Sequence, residues 1–318
     1  NVNDDTDSIS YSIDNKKDRI FFKTDFEVKN NALNFELLNY TKKKGVKSNL
    51  IVEGVVNKNN SVFLNKINFA ESKNLIKVKN IDLNSKKKLK RIDQIDINLV
   101  NNNDKNSQLN IKRKKTNYSI NSKIFDGTKI LDRILFSKSD GNFFDVFEKL
   151  NSKITINFNT IYITNEDYLT NFKADMIVNN NQIKDLVLSS QFSTKEDLKL
   201  SIKTNSNNER ITDLFAGNAK PLVKKYDFIK GFEGGYLKFD SIEKNKVSNS
   251  NLKIFDFKLK EVPALTKLLT LASLQGIADL LTGEGIRFNE FEMIFNNKEG
   301  LMTIEEIYSL GPSISILM

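Results

Sequence analysis

The stretch Phe172-Lys173-Ala174-Asp175-Met176-Ile177-Val178, followed by Asn179-Asn180-Asn181, decides the fold class. Phe172, Ala174, Met176 and Val178 alternate with Lys173, Asp175 and Ile177, and a period of two places the first set on one face of a β-strand. The Asn run is turn chemistry, and alternation resumes over Ile183–Phe192. Working outward, Leu198, Leu200 and Ile202 alternate with Lys199, Ser201 and Lys203, and Leu33, Phe35 and Leu37 with Asn34, Glu36 and Leu38. Similar segments are read at Leu50–Val56, Val62–Phe69, Leu75–Leu83, Ile92–Val100, Gln108–Lys112, Tyr118–Ile124 and Ile154–Ile163. Short polar breaks such as Asn57-Lys58-Asn59-Asn60 separate them, so successive strands are expected to be hairpin neighbours in a long antiparallel meander.

Four segments carry helical spacing instead. Thr128–Ser137 and Asn142–Leu150 do so, and Thr212 is placed to cap a short helix through Leu214, Phe215 and Ala219. The most apolar is Val262–Leu281: Pro263 suits a first helical position, Leu265, Leu268, Leu269 and Ala272 form a stripe, and Leu271 and Leu274 widen it. Gly276 interrupts, and Ile277, Leu280 and Leu281 continue to Gly283. This segment is too short to span a bilayer and is expected to bury itself as a cap helix.

With 318 residues, 39% hydrophobic and 28% charged, the chain has material for one large or two ordinary cores. Only 13 Gly and 3 Pro fit long strands with polar loops better than a tight-turned sandwich. Cys, His and Trp are absent, which removes thiolate nucleophiles, imidazole acid–base chemistry and Cys/His metal sites. No catalytic residue, metal ligand or cofactor site is assigned. The net charge of +9 comes almost wholly from lysine, with Arg19, Arg91, Arg113, Arg133, Arg210 and Arg287 scattered. The runs Lys42-Lys43-Lys44, Lys86-Lys87-Lys88 and Lys112 to Lys115 read as solvated loops, without the interleaved aromatics of a nucleic-acid platform. Nucleic acid is therefore not an expected partner. Gly231–Gly235 lacks the spacing of a phosphate loop and reads as a hairpin turn. The carboxylate pairs Asp132 with Asp140 and Glu305 with Glu306 read as wet strand edges.

The last third carries a resemblance. Asn251-Leu252-Lys253-Ile254-Phe255-Asp256-Phe257-Lys258-Leu259-Lys260, running into Glu261-Val262-Pro263-Ala264-Leu265, is followed by Leu268-Leu269-Thr270-Leu271-Ala272-Ser273 and by Gly276 to Phe288. With Gly300-Leu301-Met302-Thr303-Ile304 and Gly311-Pro312-Ser313, these resemble the AsmA-like C-terminal region of the YhdP branch of AsmA/TamB proteins. Asp213-Leu214-Phe215 leading to Gly234-Gly235-Tyr236-Leu237 is similar to the helix-then-strand approach to that region. The resemblance divides the chain into a repetitive β-groove segment, 1–211, and an AsmA-like region, 212–318, cut short at its end. It implies a curved, taco-shaped sheet in the periplasm of Gram-negative bacteria, held to the inner membrane by a helix absent from this chain.

What such a groove would do is carry phospholipid acyl chains between inner and outer membrane surfaces, with envelope proteins as further partners and no enzymatic step. The expected lining is Ile154, Ile156, Phe158, Phe172, Ala174, Met176, Val178, Leu186, Leu188, Leu198, Leu200 and Ile202, with the cap helix presenting Leu265, Leu268, Leu269, Leu271, Leu274, Ile277, Leu280 and Leu281. The alternative expectation is a non-enzymatic envelope-assembly scaffold whose apolar face is a sealed core.

Overall fold

The computed structural model describes residues 7–131, 143–226, 231–260, 285–312 and 315–317, and it is mainly β. The chain folds as two compact units, Asn1–Ile183 and Lys184–Met318. These units reflect packing, whereas the boundary expected at 211/212 reflects family likeness.

The first unit holds β1 (Ser8–Lys16), β2 (Arg19–Val28), β3 (Leu33–Phe35), β4 (Tyr40–Lys42), β5 (Ser48–Asn57), β6 (Val62–Glu71), β7 (Asn74–Leu83), β8 (Leu89–Val100), β9 (Asn106–Lys114), β10 (Asn117–Asp126), β11 (Ser152–Tyr162) and β12 (Tyr168–Asn179). Its ladder runs β1-β2-β5-β6-β7-β8-β9-β10 by antiparallel pairing. It continues through a parallel β10–β11 pair to an antiparallel β11–β12 pair. The parallel join departs from the expected meander, because the 127–151 connection returns β11 alongside β10 in the same direction. The second unit holds β13 (Gln182–Phe192), β14 (Asp197–Thr204), β15 (Arg210–Ala216), α1 (Lys220–Tyr226), β16 (Phe232–Lys244), β17 (Val247–Leu259), β18 (Ile286–Lys298), β19 (Leu301–Leu310) and β20 (Ser315–Leu317). It is a plain antiparallel meander from β13 to β20. Neither ladder closes into a barrel.

Several expectations are corrected. The segment from Thr212 through Phe215 is strand β15, not a helix: Leu214 sits between Leu200 and Phe239 on the flanking strands, and both backbone edges are paired. Tertiary pairing overrides the helical spacing, and the helix begins only at Lys220, with Pro221 tolerated in its first turn. Leu33, Phe35 and Leu37 do not form one strand, since β3 stops at Phe35 and Glu36–Leu38 is a 3₁₀ turn closed by Asn39 in the left-handed conformation. Within Asn142–Leu150 the described helical portion is a 3₁₀ turn, Phe143–Val146. Of Thr128–Ser137, residues 128–131 are helical and the rest lie outside the described residues. The whole cap segment Val262–Leu281, with Leu265, Leu268, Leu269, Leu271, Leu274, Ile277, Leu280 and Leu281, also lies outside them.

The glycines of Gly231–Gly235 are not a hairpin turn. Gly234 and Gly235 lie inside β16 with φ of +72° and +74°, opposite Asp256 of β17 at +53°. Positive φ within a strand turns the pleat over without shifting the register, because one residue is skipped on each partner. The same break falls at one level on adjacent strands: Gly235, Asp256 and Asn289 are skipped in the pairing of β16, β17 and β18. In the first unit Asn80 (φ +55°) is skipped with Asn65 and Asp93, and Asn171 (φ +52°) with Asn159. Gly, Asn and Asp reach this conformation at the least cost. The buried positions change parity across these breaks: Ile254 gives way to Phe257 and Leu259, and Ile76 to Ile81. Each break, or crease, thus resets which alternate residues are buried.

Candidate functional site

Directly paired residues share a face, so register lets the face be read across strands. In the first unit, Val52, Ile67, Val78, Ile95, Ile111, Ile120 and Ile156 form one unbroken row over β5 to β11, followed by Ala174 of β12. All but the buried Ala174 are half-buried. At ~4.8 Å per strand the row from Val52 to Ile156 is about 29 Å long.

Each end of these strands is covered by its own cluster. Tyr40, with Leu33, Phe35 and Leu38 of the β3–β4 insertion, belongs to a cluster with Leu50, Phe69, Ile76, Ile97, Leu99 and Leu109, and Val78 and Ile95 of the row pack against it. The insertion is held by polar anchors: the Tyr40 hydroxyl donates to Glu71, and Asn102 donates its backbone N–H to the Asn39 carbonyl at 2.8 Å. Lys42 is fully buried, and its ammonium donates to the carbonyls of Lys29 (2.9 Å) and Asn31 (2.8 Å). That corrects the reading of the Lys42-Lys43-Lys44 run as solvated, which holds for Lys43 and Lys44 but not for Lys42. Toward the opposite ends of β10 to β12, Phe144, Tyr118, Leu150, Ile154 and Val178 form a second cluster, against which Ile111, Ile120, Phe147, Ile156, Met176 and Ile183 pack. Five of the seven row residues thus pack against one of these two clusters while staying half-buried, and Val52 and Ile67 belong to neither.

In the second unit the corresponding row is Leu188, Leu200, Leu214, Phe239, Leu252, Met293 and Ile307, from β13 to β19. All seven of these side chains are half-buried. The next row, Leu198, Ala216, Leu237 and Ile254, is buried. The other face is mostly polar: Ser201, Asp213, Asp240 and Asn251 face one another strand to strand, beside Lys199, Lys238, Lys253 and Glu292, with Phe215 between Lys199 and Lys238 and Ile294 opposite Asn251. Burial, and then the facing Asp213 carboxylate, push the Asp240 carboxyl above the usual range. The Glu292 carboxylate accepts from Lys253 at 3.0 Å and from Asn251 at 2.9 Å. Burial alone would raise Glu292, but those two hydrogen bonds hold it below the ordinary glutamate value and raise Lys253 in turn.

The expected lining residues fall in registered pairs on the apolar face: Ile154 with Met176, Ile156 with Ala174 and Phe158 with Phe172 in the first unit, Leu186 with Ile202 and Leu188 with Leu200 in the second. Burial then separates them. Ile154, Phe158, Ala174, Val178, Leu186, Leu198 and Ile202 are sealed, whereas Ile156, Phe172, Met176, Leu188 and Leu200 are partly open. Most of both rows is missing from the expected lining, though the same alternation marks Val52, Ile67, Val78, Ile95, Ile111 and Ile120. In the second unit the helical reading of Thr212 to Ala219 hides Leu214.

No protein-family model matches this chain, and no curated protein or solved structure matches it either. Its chemistry is therefore argued from its own side chains. Among the described residues, no three carboxylates gather where a metal could sit. Glu305 and Glu306 lie exposed on β19, Glu305 accepting from Asn296 at 2.9 Å, and Asp132 and Asp140 lie outside the described residues. No described helix is long and apolar enough to cross a membrane.

Proposed function

We propose that this chain is a periplasmic segment of an AsmA/YhdP-like protein that conducts phospholipid between inner and outer membranes along an apolar β-groove. The observation that carries the reading is the half-buried apolar row in each unit, continuous from strand to strand and backed by a wet face. A closed β core would bury the middle of its sheet most deeply. Here the row of the first unit stays half-buried although five of its residues pack against the two clusters, which leaves apolar surface on which a chain could lie.

The physics asks for no catalyst. Each CH₂ moved from water onto such a face gains about 0.8 kcal/mol, so a row of isoleucines, leucines and valines lowers the cost of carrying an acyl chain across water. The creases at Asn80, Asn171 and Gly235/Asp256 supply the bends that a trough-shaped sheet requires. Localisation to the periplasm and an inner-membrane anchor follow from the resemblance of residues 212–318.

The test is native mass spectrometry of the purified chain, followed by solvent extraction. Co-purifying phospholipid, exchangeable with labelled vesicles, is the expected result. A lipid-free protein that also fails to take up lipid from vesicles would turn the assignment over to the scaffold reading.

A further inference from the structure

At one end of β10, β11 and β12 lies a shallow concavity of about 510 Å³, lined by Thr116, Asn117, Asn151, Ser152, Lys153, Ile177, Val178 and Asn179. Two of its amides are oriented by the backbone. The Lys153 N–H donates to Asn117 Oδ1 at 3.3 Å, and the Asn180 N–H donates to Asn151 Oδ1 at 2.8 Å. A backbone N–H can only donate, so both amide oxygens are settled on the protein side and both Nδ2 groups are turned elsewhere. Neither Nδ2 meets an acceptor among the described residues. Lys153 lies between β10 and β12 on the middle strand, its ammonium 3.5 Å from Asp175 and more than half exposed, which makes that pair weak and easily exchanged. Lys114 at the end of β9 and Lys115 in the adjoining turn form no ion pair among the described residues; Asp175 pairs with Lys153 and accepts from the Thr155 hydroxyl at 3.0 Å.

We propose that this concavity is an oxyanion site that takes a phosphate group, with Asn117 Nδ2, Asn151 Nδ2 and the Lys153 ammonium as donors. The chemistry selects an anion over a neutral hydroxyl ligand: two amides whose oxygens are already used line the same concavity as a cation. Charge-assisted hydrogen bonds to oxyanions are the stronger class, and lysine binds phosphate as a point charge. The phosphate is either free in solution or the headgroup of an anionic lipid at a membrane surface. The site stands on the wet rim and does not depend on the acyl-chain reading.

The test is NMR titration of the whole chain, following the side-chain NH₂ resonances of Asn117 and Asn151. With inorganic phosphate, saturable shifts confined to this rim are expected, at about millimolar Kd. Asn151→Asp keeps the acceptor for the Asn180 N–H but places a negative charge at the site, and should weaken phosphate by about tenfold or more. Lys153→Gln is the second variant, should the first disturb the rim. Vesicles containing phosphatidylglycerol that compete with phosphate, where phosphatidylcholine vesicles do not, would assign the headgroup source; no competition would assign free phosphate. Shifts that grow linearly with salt, or that persist unchanged in both variants, would overturn the site.

Discussion

Leu198 and Leu200 stand two residues apart on β14 and point to the same side, yet they belong to different environments. Leu198 is 8% exposed and pairs with Ala216, whereas Leu200 is half-buried between Leu188 and Leu214. Leu198→Asp places a carboxylate where no donor awaits it and empties a packed site, so a loss of about 3–5 kcal/mol and unfolding near room temperature are expected. Leu200→Asp gives up only part of a leucine's burial, about 1–2 kcal/mol, because its carboxylate reaches water. Its effect on lipid should be larger than its effect on stability. A hydrated carboxylate pushes about three methylenes off the face, about 2.4 kcal/mol at ~0.8 kcal/mol each, which lowers chain occupancy roughly fiftyfold. Circular dichroism melting gives the first quantity. Co-purified phospholipid and transfer of a labelled lipid between vesicles give the second. Equal unfolding by both substitutions would make the row a sealed core; a folded Leu200→Asp protein with unchanged lipid would deny it a carrying role.

Three further outcomes are expected. Lys42→Ala removes the ammonium's hydrogen bonds to the Lys29 and Asn31 carbonyls, of which Lys29 keeps the Gly45 N–H, and should cost about 1–3 kcal/mol, seen in hydrogen exchange as loss of protection over 33–42 before the rest of the sheet. Gly235→Ala should destabilise the second unit measurably in urea, because its Cβ would lie 2.7 Å from the Phe255 carbonyl at a φ of +74°, while Asp256→Gly should be close to neutral. Asp240 is raised in the folded state, so its relative contribution is present below the ordinary aspartate range and is lost as pH rises through its folded value. Asp240→Asn should therefore stabilise the protein at neutral pH, with the gain vanishing on acidification; equal gains at both pH values in urea melts would contradict the charge argument.

Much of the strand content is legible because a half-buried strand writes its two environments into every second residue, as Phe172 to Val178 does. β1 carries the same alternation in Ile9, Tyr11 and Ile13, yet those side chains are among the more exposed apolar groups, and the strand is absent from the segments read in the sequence. In β2 the adjacent Ile20, Phe21 and Phe22 blur the period. Creases are hidden for a different reason. A period of two assumes an unbroken phase, and Asn80, Asn171 and Asp256 each reset it, so a window spanning one of them averages two faces. The burial of Lys42 depends on carbonyls brought to it by the loop at 29–31, and nothing local to the lysine run announces them. Apolarity and alternation alone cannot tell Leu198 from Leu200; that distinction comes from what covers each strand end.

The parallel join of β10 to β11 has a consequence for how the molecule assembles. A ladder in which each strand docks on its predecessor closes only short loops and can grow in chain order, at small entropic cost per step. β11 is different, since it must wait for the 127–151 connection to cross back before Tyr118 meets Ile154. Strands β1 to β10 can therefore form a template while the following residues are still emerging. Folding of the first unit is then directional, with a pause where Phe144, Phe147 and Leu150 must be tucked into place.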